Sequence, residues 1–434
     1  MPAFPVPTAH RHSTRPLPGA GSGLCGGRWQ ARALLFALIL LTRRAHAVRI
    51  TYVTETYTPE VNGVALTVAR AVRHLRKRGH ALDLIRPRQR GEEARCDERE
   101  WRTAGAPIPM YPDLRFGMAR VATVARRLAA NRTQLVHVAT QGPLGRAALL
   151  AARRLALPVT TDFRTNFHAY CRYYHLGAIE PLVCRYLRNF HNGADCCFVP
   201  TRALAQTLQT QGFERLEVVG RGVDAKLFTP ARRSAALRAS WGVRGDAPVL
   251  LYVGRLAPEK NVALALQTHA RLLQQRPDAH MVVVGDGPLR AQLRLRFPLA
   301  RFVGMQRNED LAAHYASADL FLFPSESETF GNVTLEALAS GLAVVAFDEA
   351  AAAEHIRDGV SGLLVAPGDA AGFMTRAMQA VQSQRCRPQS MMRQLARETA
   401  LAAQWDGVLQ HFEQRLAHHA MAHAASGLHD VALA

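Results

Sequence analysis

Short apolar runs alternate with amphipathic segments along the chain from residue 48 onward. Segment 65–78 illustrates the amphipathic kind, because Val68, Val72 and Leu75 fall on one face of a helix. The apolar runs have the length of buried strands, and strands that alternate with helices form βαβ units, so the pattern predicts a parallel sheet. The apolar runs of the first half are 49–54, 81–85, 135–139, 158–162, 196–200 and 216–219.

A polar stretch at 229–233 interrupts the alternation, which then restarts. The second set of strands is predicted at 249–253, 281–284, 301–303, 320–323, 343–346 and 362–365. The simplest architecture is two Rossmann-like, doubly wound α/β domains, 48–225 and 226–390, with a ligand-binding cleft at the carboxyl ends of their strands. The remaining segment, 391–434, is predicted to be helical to about residue 418 and frayed beyond it.

Residues 1–47 precede the first predicted strand and contain six arginines and no acidic residue. An apolar run at 33–41, followed by Ala-His-Ala at 45–47, resembles the hydrophobic region and cleavage site of a signal peptide. The run is shorter than the roughly 20 apolar residues that a transmembrane helix needs. A start site assigned too early explains the same residues, and we favour that interpretation over a true signal or anchor.

The formal net charge of +20 is unevenly distributed, with +18 on residues 1–225 and +2 on residues 226–434. A hydrophobic content of 48% excludes disordered and fibrous proteins. The positive charge raises nucleic acid as a partner, but the sequence has neither zinc-finger spacing nor an aromatic RNA-binding motif, so we expect no nucleic-acid binding. The seven cysteines are scattered without a C-x-x-C pair, which favours a reducing compartment and predicts no cysteine metal site.

The loop after the predicted strand 249–253 carries the first candidate site. It contains Gly254, Arg255 and Lys260 in the sequence Gly-Arg-Leu-Ala-Pro-Glu-Lys. Arginine can hold phosphate oxygens through two parallel hydrogen bonds, and lysine supplies a mobile point charge, so the loop is a candidate anion site. An ordinary solvated turn has the same composition, and the loop alone does not distinguish the two.

A second motif at 324–337 follows the predicted strand 320–323 and opens a helix. The first turn of a helix leaves N–H groups without intrahelical partners and favours anions, so residues 330–333 are predicted to bind a diphosphate. Glu328 precedes the helix and Glu336 lies eight positions later, which allows one carboxylate to face a sugar and the other a ribose. Two solvated acids explain this pair alone, but the basic loop at 254–260 makes a binding site the better interpretation.

Together these motifs resemble the retaining GT-B glycosyltransferases of family four, over about residues 48 to 418. The matching residues are Gly254, Arg255, Lys260, Asn261, the Gly-Asp-Gly-Pro sequence at 285–288, Glu328, Glu336, Glu354, Gly359, Gly362, Pro367 and Asp369. Segments 59–63 and 161–167 are most similar to bacterial GDP-mannose-dependent α-mannosyltransferases and related glycolipid glycosyltransferases. The resemblance implies the GT-B fold, with two Rossmann-like domains facing a central cleft.

The resemblance also implies a role for each matching residue of the donor site. Arg255 and Lys260 would neutralise the leaving diphosphate, and both are expected to be catalytic together with Glu328, near the donor sugar. Glu336 would bind the ribose. The other expected donor-binding residues are Gly63, Gly254, Phe330, Gly331, Asn332 and Val333. The family usually has two adjacent glycines in the first loop, where this chain has Val64 as the second residue.

On the acceptor side the resemblance implies Asn62, Arg164 and His168. Arg164 stands where many members have a histidine at the reaction centre, and we count it among the expected catalytic residues. A guanidinium stays protonated and is no base, but it can bind an acceptor phosphate or steady the leaving group. His168 is a candidate substitute for the missing histidine, although a histidine among aromatic residues more often packs than reacts.

No D-x-D pair occurs in the sequence, so we expect transfer without a metal and no cofactor beyond the substrate nucleotide sugar. The basic first domain, in which arginines interleave with aromatic residues over 164–190, is typical of a protein that binds an anionic membrane surface. A solvated surface whose arginines reflect genome composition is the alternative interpretation.

The sequence therefore predicts a cytoplasmic glycosyltransferase. Its basic first domain adds peripheral association with the inner face of the cytoplasmic membrane as a second expected location. It would transfer a hexose, with mannose from GDP-mannose as the expected donor, to a hydroxyl of a lipid or glycan with retention of configuration. The alternatives are a UDP-sugar-dependent glucosyl or glycolipid transferase and a catalytically idle sugar-nucleotide-binding protein.

Overall fold

The computed structural model describes residues 47–60, 62–89, 91–97, 99–108, 111–164, 180–387 and 389–432. Residues 48–434 form one compact unit that contains two α/β domains. The N-terminal extension up to residue 46, and His168, lie outside the described residues.

The first domain is built on an eight-stranded sheet of order β4-β3-β2-β1-β5-β6-β7-β8. All its neighbouring strands are parallel except β3 and β4. The strands are β1 Arg49–Val53, β2 Ala81–Pro87, β3 Glu100–Ile108, β4 Tyr111–Met118, β5 Leu135–Val138, β6 Val159–Asp162, β7 Cys196–Val199 and β8 Leu216–Val218. The helices are α1 Gly63–Lys77, α2 Val121–Ala130, α3 Pro143–Arg154, α4 Glu180–His191 and α5 Arg202–Thr210.

The antiparallel pair β3–β4 extends one edge of this sheet and is absent from the sequence-based prediction. Segment 100–108 contains charged residues, a glycine and a proline instead of a continuous apolar run. Strands at an edge need only one buried face, so their sequences lack the strong pattern that marks the central strands. The six strands predicted for this domain all occur, with ends that differ by one or two residues.

The second domain has a wholly parallel six-stranded sheet of order β11-β10-β9-β12-β13-β14, which is the Rossmann order. Its strands are β9 Val249–Val253, β10 His280–Val284, β11 Arg301–Gly304, β12 Leu320–Phe323, β13 Ala343–Phe347 and β14 Leu363–Val365. Its helices are α6 Ala235–Ser240, α7 Val262–Leu272, α8 Arg290–Arg296, α9 Asn308–Ser317, α10 Asn332–Ala339, α11 Ala350–His355 and α12 Ala370–Gln382. Short 3₁₀ turns occur at Pro230–Arg232 and Pro258–Lys260. The predicted fold class is confirmed.

The C-terminal segment forms two helices that pack on different domains. Helix α13, Met391–Ala402, joins the core of the second domain through Met392, Ala396 and Ala400. Helix α14, Trp405–Ala432, returns to the first domain and buries apolar side chains against β1, β2 and α1. It continues well past residue 418, where the sequence predicted a frayed tail.

Ion pairs fix α14 to the first domain at two positions. The Glu413 carboxylate accepts hydrogen bonds from His74 Nε2 at 2.8 Å, Arg78 Nε at 3.0 Å and His80 Nε2 at 3.2 Å. These three donors lower the pKa of Glu413 against the opposing effect of burial. The second pair joins Arg415 to Glu217 through two bonds of 2.6 and 2.8 Å. Helix α14 is thereby held to the first domain over residues 405–420 by both ion pairs and apolar contacts.

Candidate active site

Glycines bring the loops after β9 and β10 unusually close together. Gly285 has φ of 135°, and a Cβ atom there would lie 2.0 Å from the carbonyl oxygen of Gly254. A Cβ at Gly287 would lie 2.5 Å from the carbonyl oxygen of Leu256. No larger residue fits either position without a backbone shift. The backbone at Gly254, Gly285 and Gly287 therefore carries no side chain at the strand ends, so a ligand phosphate can approach it closely. We call this surface the glycine floor.

Lys260 and Glu328 meet at the edge of this floor. The Lys260 Nζ atom donates to Glu328 Oε1 at 2.5 Å and to the carbonyl oxygen of Ser327 at 3.0 Å. The Ser325 hydroxyl donates to the same Glu328 oxygen at 3.0 Å. Both charged side chains are partly exposed, at 15% and 17%. The structure thus brings together a cation and an acid that are 68 positions apart in the sequence.

Arg255 lies on the same loop, immediately after β9 and Gly254. Its residue is exposed, and its carbonyl oxygen accepts a hydrogen bond from the buried Tyr252 hydroxyl at 3.2 Å. This hydrogen bond fixes the backbone of the loop at Arg255. An exposed arginine beside the paired Lys260 gives the loop the two cations that the sequence predicted.

Helix α10 begins at this cluster. Its N-cap residue Gly331 has φ of 86°, which glycine adopts without strain. The Phe330 ring is buried, and its carbonyl oxygen accepts a hydrogen bond from Ala351 N at 2.7 Å. The first-turn N–H groups at Asn332 and Val333 have no partner inside the helix and carry the positive end of its dipole. The sequence predicted that a diphosphate binds at the start of this helix, and that role stays a prediction.

Glu336 lies one turn further along α10. Its Oε2 atom accepts a hydrogen bond from the Tyr315 hydroxyl at 3.1 Å. Burial raises the pKa of Glu336 to about 7, while the Tyr315 hydrogen bond and the charge of Arg70 act in the opposite direction. The carboxyl group is partly exposed and is able to accept hydrogen bonds from the hydroxyls of a bound ligand.

The first domain faces this site through the start of α1. A Cβ atom at Gly63 would lie 3.3 Å from Nδ2 of Asn332, so the first residue of α1 approaches the first turn of α10. Asn62 is the N-cap of α1, and its Oδ1 accepts from Ala65 N at 2.8 Å. Two helix N-termini, one from each domain, therefore converge on one space, and both favour negative charge there.

Arg164 is buried in the first domain and is ion-paired. Its guanidinium contacts the carboxylate of Asp162 and donates to the Tyr52 hydroxyl at 3.4 Å. Asp162 also accepts from His137 Nε2 at 3.3 Å. The charges of Arg164 and His137 hold the pKa of Asp162 below its usual range despite burial. The Arg164 guanidinium is thus held in place by its ion pair and by burial, at the carboxyl end of β6.

Sequence reasoning missed two arginines near the cleft or assigned them elsewhere. Arg221 lies three residues after the end of β8 and is buried. Arg70 of α1 belongs to the basic first domain that the sequence assigned to a membrane surface, but its guanidinium lies 5.3 Å from the centre of the Trp405 ring and 3.8 Å from Asp224. A charged residue at the carboxyl end of a parallel strand is a general sign of a ligand site and would have identified Arg221.

The two-domain fold and this cleft define a glycosyltransferase of the GT-B class. Sequence profiles described as "Glycosyltransferase Family 4" and "Glycosyl transferases group 1" match residues 61–227 and 247–383. The chain is 34% identical over 331 residues to the GDP-mannose-dependent alpha-mannosyltransferase of Mycobacterium tuberculosis, covering 74% of this chain and 85% of that protein. This protein belongs to glycosyltransferase family 4.

Other similarities agree with that assignment. The chain is 28% identical over 347 residues to the alpha-monoglucosyldiacylglycerol synthase of Streptococcus pneumoniae, covering 76% of this chain and 78% of that protein. The crystal structure of Anabaena HepE in complex with UDP superimposes with a TM-score of 0.66 at 19% identity, covering 85% of this chain and 99% of that one. The predicted family and the predicted enzyme class, glycosyltransferase, are confirmed. The roles of the individual site residues stay predictions.

Proposed function

We propose that this enzyme transfers mannose from GDP-mannose to a hydroxyl of a lipid or glycan, with retention of configuration. The observation that carries the proposal is the convergence of the α1 and α10 N-termini beside the Lys260–Glu328 pair. The choice of donor is supported by relatives of 33–34% identity that are GDP-mannose-dependent alpha-mannosyltransferases.

The donor diphosphate would lie between the two helix N-termini, over the glycine floor. Arg255 and Lys260 would neutralise the charge that develops on it as the sugar–phosphate bond breaks. Lys260 would exchange part of its contact with Glu328 for phosphate, which turns the Glu328 carboxylate toward the sugar. Glu336 would accept hydrogen bonds from the ribose. The departing phosphate would take the proton of the acceptor hydroxyl, so no histidine base is needed and no metal is needed to hold the diphosphate.

A thermal-shift panel followed by a transfer assay tests the donor. GDP-mannose and GDP should raise the melting temperature of the full chain more than UDP-glucose and UDP do. Transfer should then occur with GDP-mannose, and nuclear magnetic resonance of the product should show an axial anomeric bond as in the donor. A product with the inverted bond contradicts retention, and stabilisation by neither nucleotide contradicts the donor site.

A UDP-sugar is the second candidate donor. It is supported by the glucosyl-transferring relative of Streptococcus pneumoniae and by the fold shared with the UDP complex of HepE. Greater stabilisation by UDP-glucose in the same panel selects it. A catalytically idle binding protein is separated from both enzymes by donor hydrolysis in the absence of acceptor, which should be measurable in the wild type and lost in Lys260→Ala.

Peripheral membrane association is part of the same proposal. Among the residues that the structure describes, no helix is both long and apolar enough to cross a membrane. Leu66, Arg73 and Lys77 are exposed along one face of α1, and Leu182 and Arg185 are exposed on α4. Apolar and cationic groups side by side are suited to an anionic lipid surface.

Several arginines of this domain are not available to a membrane, because they bind acids within the protein. Arg78 is bound to Glu413 and Arg127 to Asp83. Flotation with vesicles that contain anionic lipid should therefore depend on α1, and Arg73→Gln with Lys77→Gln should reduce it. Arg153→Gln, an exposed arginine of α3, is the matched control. Equal flotation with neutral vesicles contradicts the membrane proposal.

A further inference from the structure

A small cavity in the first domain lies beside the cleft, outside the donor site. It is bounded by the ends of β6, β7 and β8, by α1 and by the beginning of α14, and its volume is about 30 Å³. Its polar lining consists mainly of Asp162, Arg164 and Arg221, and Phe163 and Trp405 contribute to its apolar walls. A water-sized group needs about 10–15 Å³, so the cavity has room for two oxygen atoms of a larger ligand.

The charges around this cavity do not balance. Arg164 is matched by Asp162, but its Nε atom is buried with no hydrogen-bond partner among the described residues. Arg221 is 8% exposed, and its guanidinium makes no hydrogen bond or ion pair with any residue that the structure describes. Two guanidinium groups thus line one pocket with a single carboxylate, which is bonded to Arg164 and also accepts a hydrogen bond from His137.

A guanidinium that is mostly buried and has no acid hydrogen-bonded to it is unfavourable on its own. Burial, and next the positive charge of Arg164, lower the pKa of Arg221 to about 9. At neutral pH the group still carries its charge, because this value lies above 7. Side chains with uncompensated buried charge are rare unless a partner of opposite charge completes the site. The cavity beside Arg221 is where such a partner would lie.

We propose that Arg164 and Arg221 form a binding pocket for the phosphate group of the acceptor. Guanidinium groups bind phosphate oxygens through paired hydrogen bonds, and two of them suit a phosphate ester better than one would. The acceptor assignment rests on the proposed function, whereas phosphate binding does not. The phosphate belongs either to a lipid headgroup or to a free sugar phosphate.

The position of the pocket suits an acceptor. Thr67 lies in its lining and is four residues after Gly63, the residue of α1 that faces Asn332 across the cleft. Four residues of helix span about 6 Å along the axis. The pocket and the donor site therefore border the same helix within about 6 Å of each other along its axis, which suits one acceptor that reaches both.

Trp405 in the pocket wall gives a direct binding assay. Inorganic phosphate is titrated into the full chain at constant ionic strength while tryptophan fluorescence is recorded, and Trp405→Phe identifies the source of the signal. A saturable change is expected in the wild type and in the control Arg153→Gln. Arg221→Gln should weaken phosphate binding about tenfold or more, the loss expected for a charge-assisted hydrogen bond. Equal phosphate affinity in Arg221→Gln and the wild type overturns the proposal.

Stability separates a binding arginine from a structural one. Arg221→Gln should melt at the same temperature as the wild type or higher without phosphate, because it removes an uncompensated charge. Phosphate should raise the melting temperature of the wild type and of Arg153→Gln, but not of Arg221→Gln. A lower melting temperature of Arg221→Gln without phosphate, together with an unchanged response to phosphate, assigns Arg221 a structural role and overturns the proposal.

Two competitors identify the source of the phosphate. Soluble inositol phosphate and vesicles of phosphatidylinositol are each added before the phosphate titration, with diacylglycerol vesicles as the phosphate-free control. Suppression of the Trp405 response by the soluble ester supports a sugar phosphate, and suppression by the phospholipid supports a headgroup. Suppression by neither, or by diacylglycerol equally, overturns the acceptor assignment. Failure of the donor proposal is visible separately, as absence of stabilisation by GDP-mannose and UDP-glucose.

Discussion

The carboxyl group of Glu55 is buried just after the end of β1. Its pKa shows how strongly burial disfavours the ionised form of an acid in the first domain. It is 8% exposed, and its Oε1 atom accepts from Leu144 N at 2.9 Å, in the first turn of α3. Burial raises the pKa of Glu55 to about 7 from the ordinary value of 4.5, although backbone N–H groups of Leu144, Gly117 and Gly142 act against it.

The replacement Glu55→Gln keeps the shape of the side chain and removes its ionisation. A raised carboxyl pKa means that the folded state binds the proton more tightly, so stability is highest below pH 4.5 and is lost as pH rises to 7. The shift of roughly 2.5 units corresponds to about 3.4 kcal/mol in full, of which about 2.5 kcal/mol is lost between pH 5 and pH 8. Glu55→Gln does not lose this free energy of unfolding as the pH rises, because glutamine does not ionise.

Urea unfolding at pH 5 and pH 8, followed by circular dichroism, measures the effect. The free energy of unfolding of Glu55→Gln relative to the wild type should be about 2.5 kcal/mol more favourable at pH 8 than at pH 5. Any constant cost of the amide cancels in this difference. Glu93→Gln, a substitution of an exposed acid in the same domain, is the control. The same relative stability at both pH values would refute the argument that burial sets the ionisation of Glu55.

Three further predictions concern the donor site. Lys260→Ala should weaken GDP binding in isothermal calorimetry by roughly 10- to 100-fold, since it removes a charge-assisted contact to phosphate, whereas Lys226→Ala, outside the cleft, should not. Tyr315→Phe removes a hydrogen bond that lowers the pKa of Glu336, so the midpoint of the pH dependence of GDP binding should move upward from about 7; an unmoved midpoint contradicts the role of Glu336. Transfer should proceed fully in EDTA because Arg255 and Lys260 replace a metal at the diphosphate, and strict dependence on Mn²⁺ would disprove this.

The donor domain could be predicted from its sequence almost completely. Its central strands are continuous apolar runs, and its binding groups follow those strands or open a helix, so local pattern and position already indicate the site. Lys260 and Glu328 come together because β9 and β12 are neighbours in the sheet and end on the same side. In a parallel sheet, the loops that follow neighbouring strands lie side by side at the carboxyl edge, however far apart they are in the sequence.

The first domain was less predictable for a physical reason. The β3–β4 edge has no apolar run, and Arg70 is directed by contacts with Trp405 and Asp224 that depend on the tertiary fold. The position of Arg221 after a predicted strand marks it as a candidate, but its burial is a property of the tertiary fold. Amphipathicity identifies the exposed face of α1, but it does not say which exposed cations are already paired.

The return of α14 makes the donor domain an insertion within the first domain, joined to it by two chain segments. These segments lie side by side: Val223 N donates to Ala403 O at 3.0 Å, and Trp405 N donates to Val223 O at 3.4 Å. A Cβ at Gly222 would come within 2.6 Å of the Trp405 Cα atom, so their contact leaves no space for a side chain. Two connecting segments that are hydrogen-bonded to each other resist relative twisting of the domains more strongly than a single segment does. The paired connections therefore favour a constant position of Gly63 against the first turn of α10.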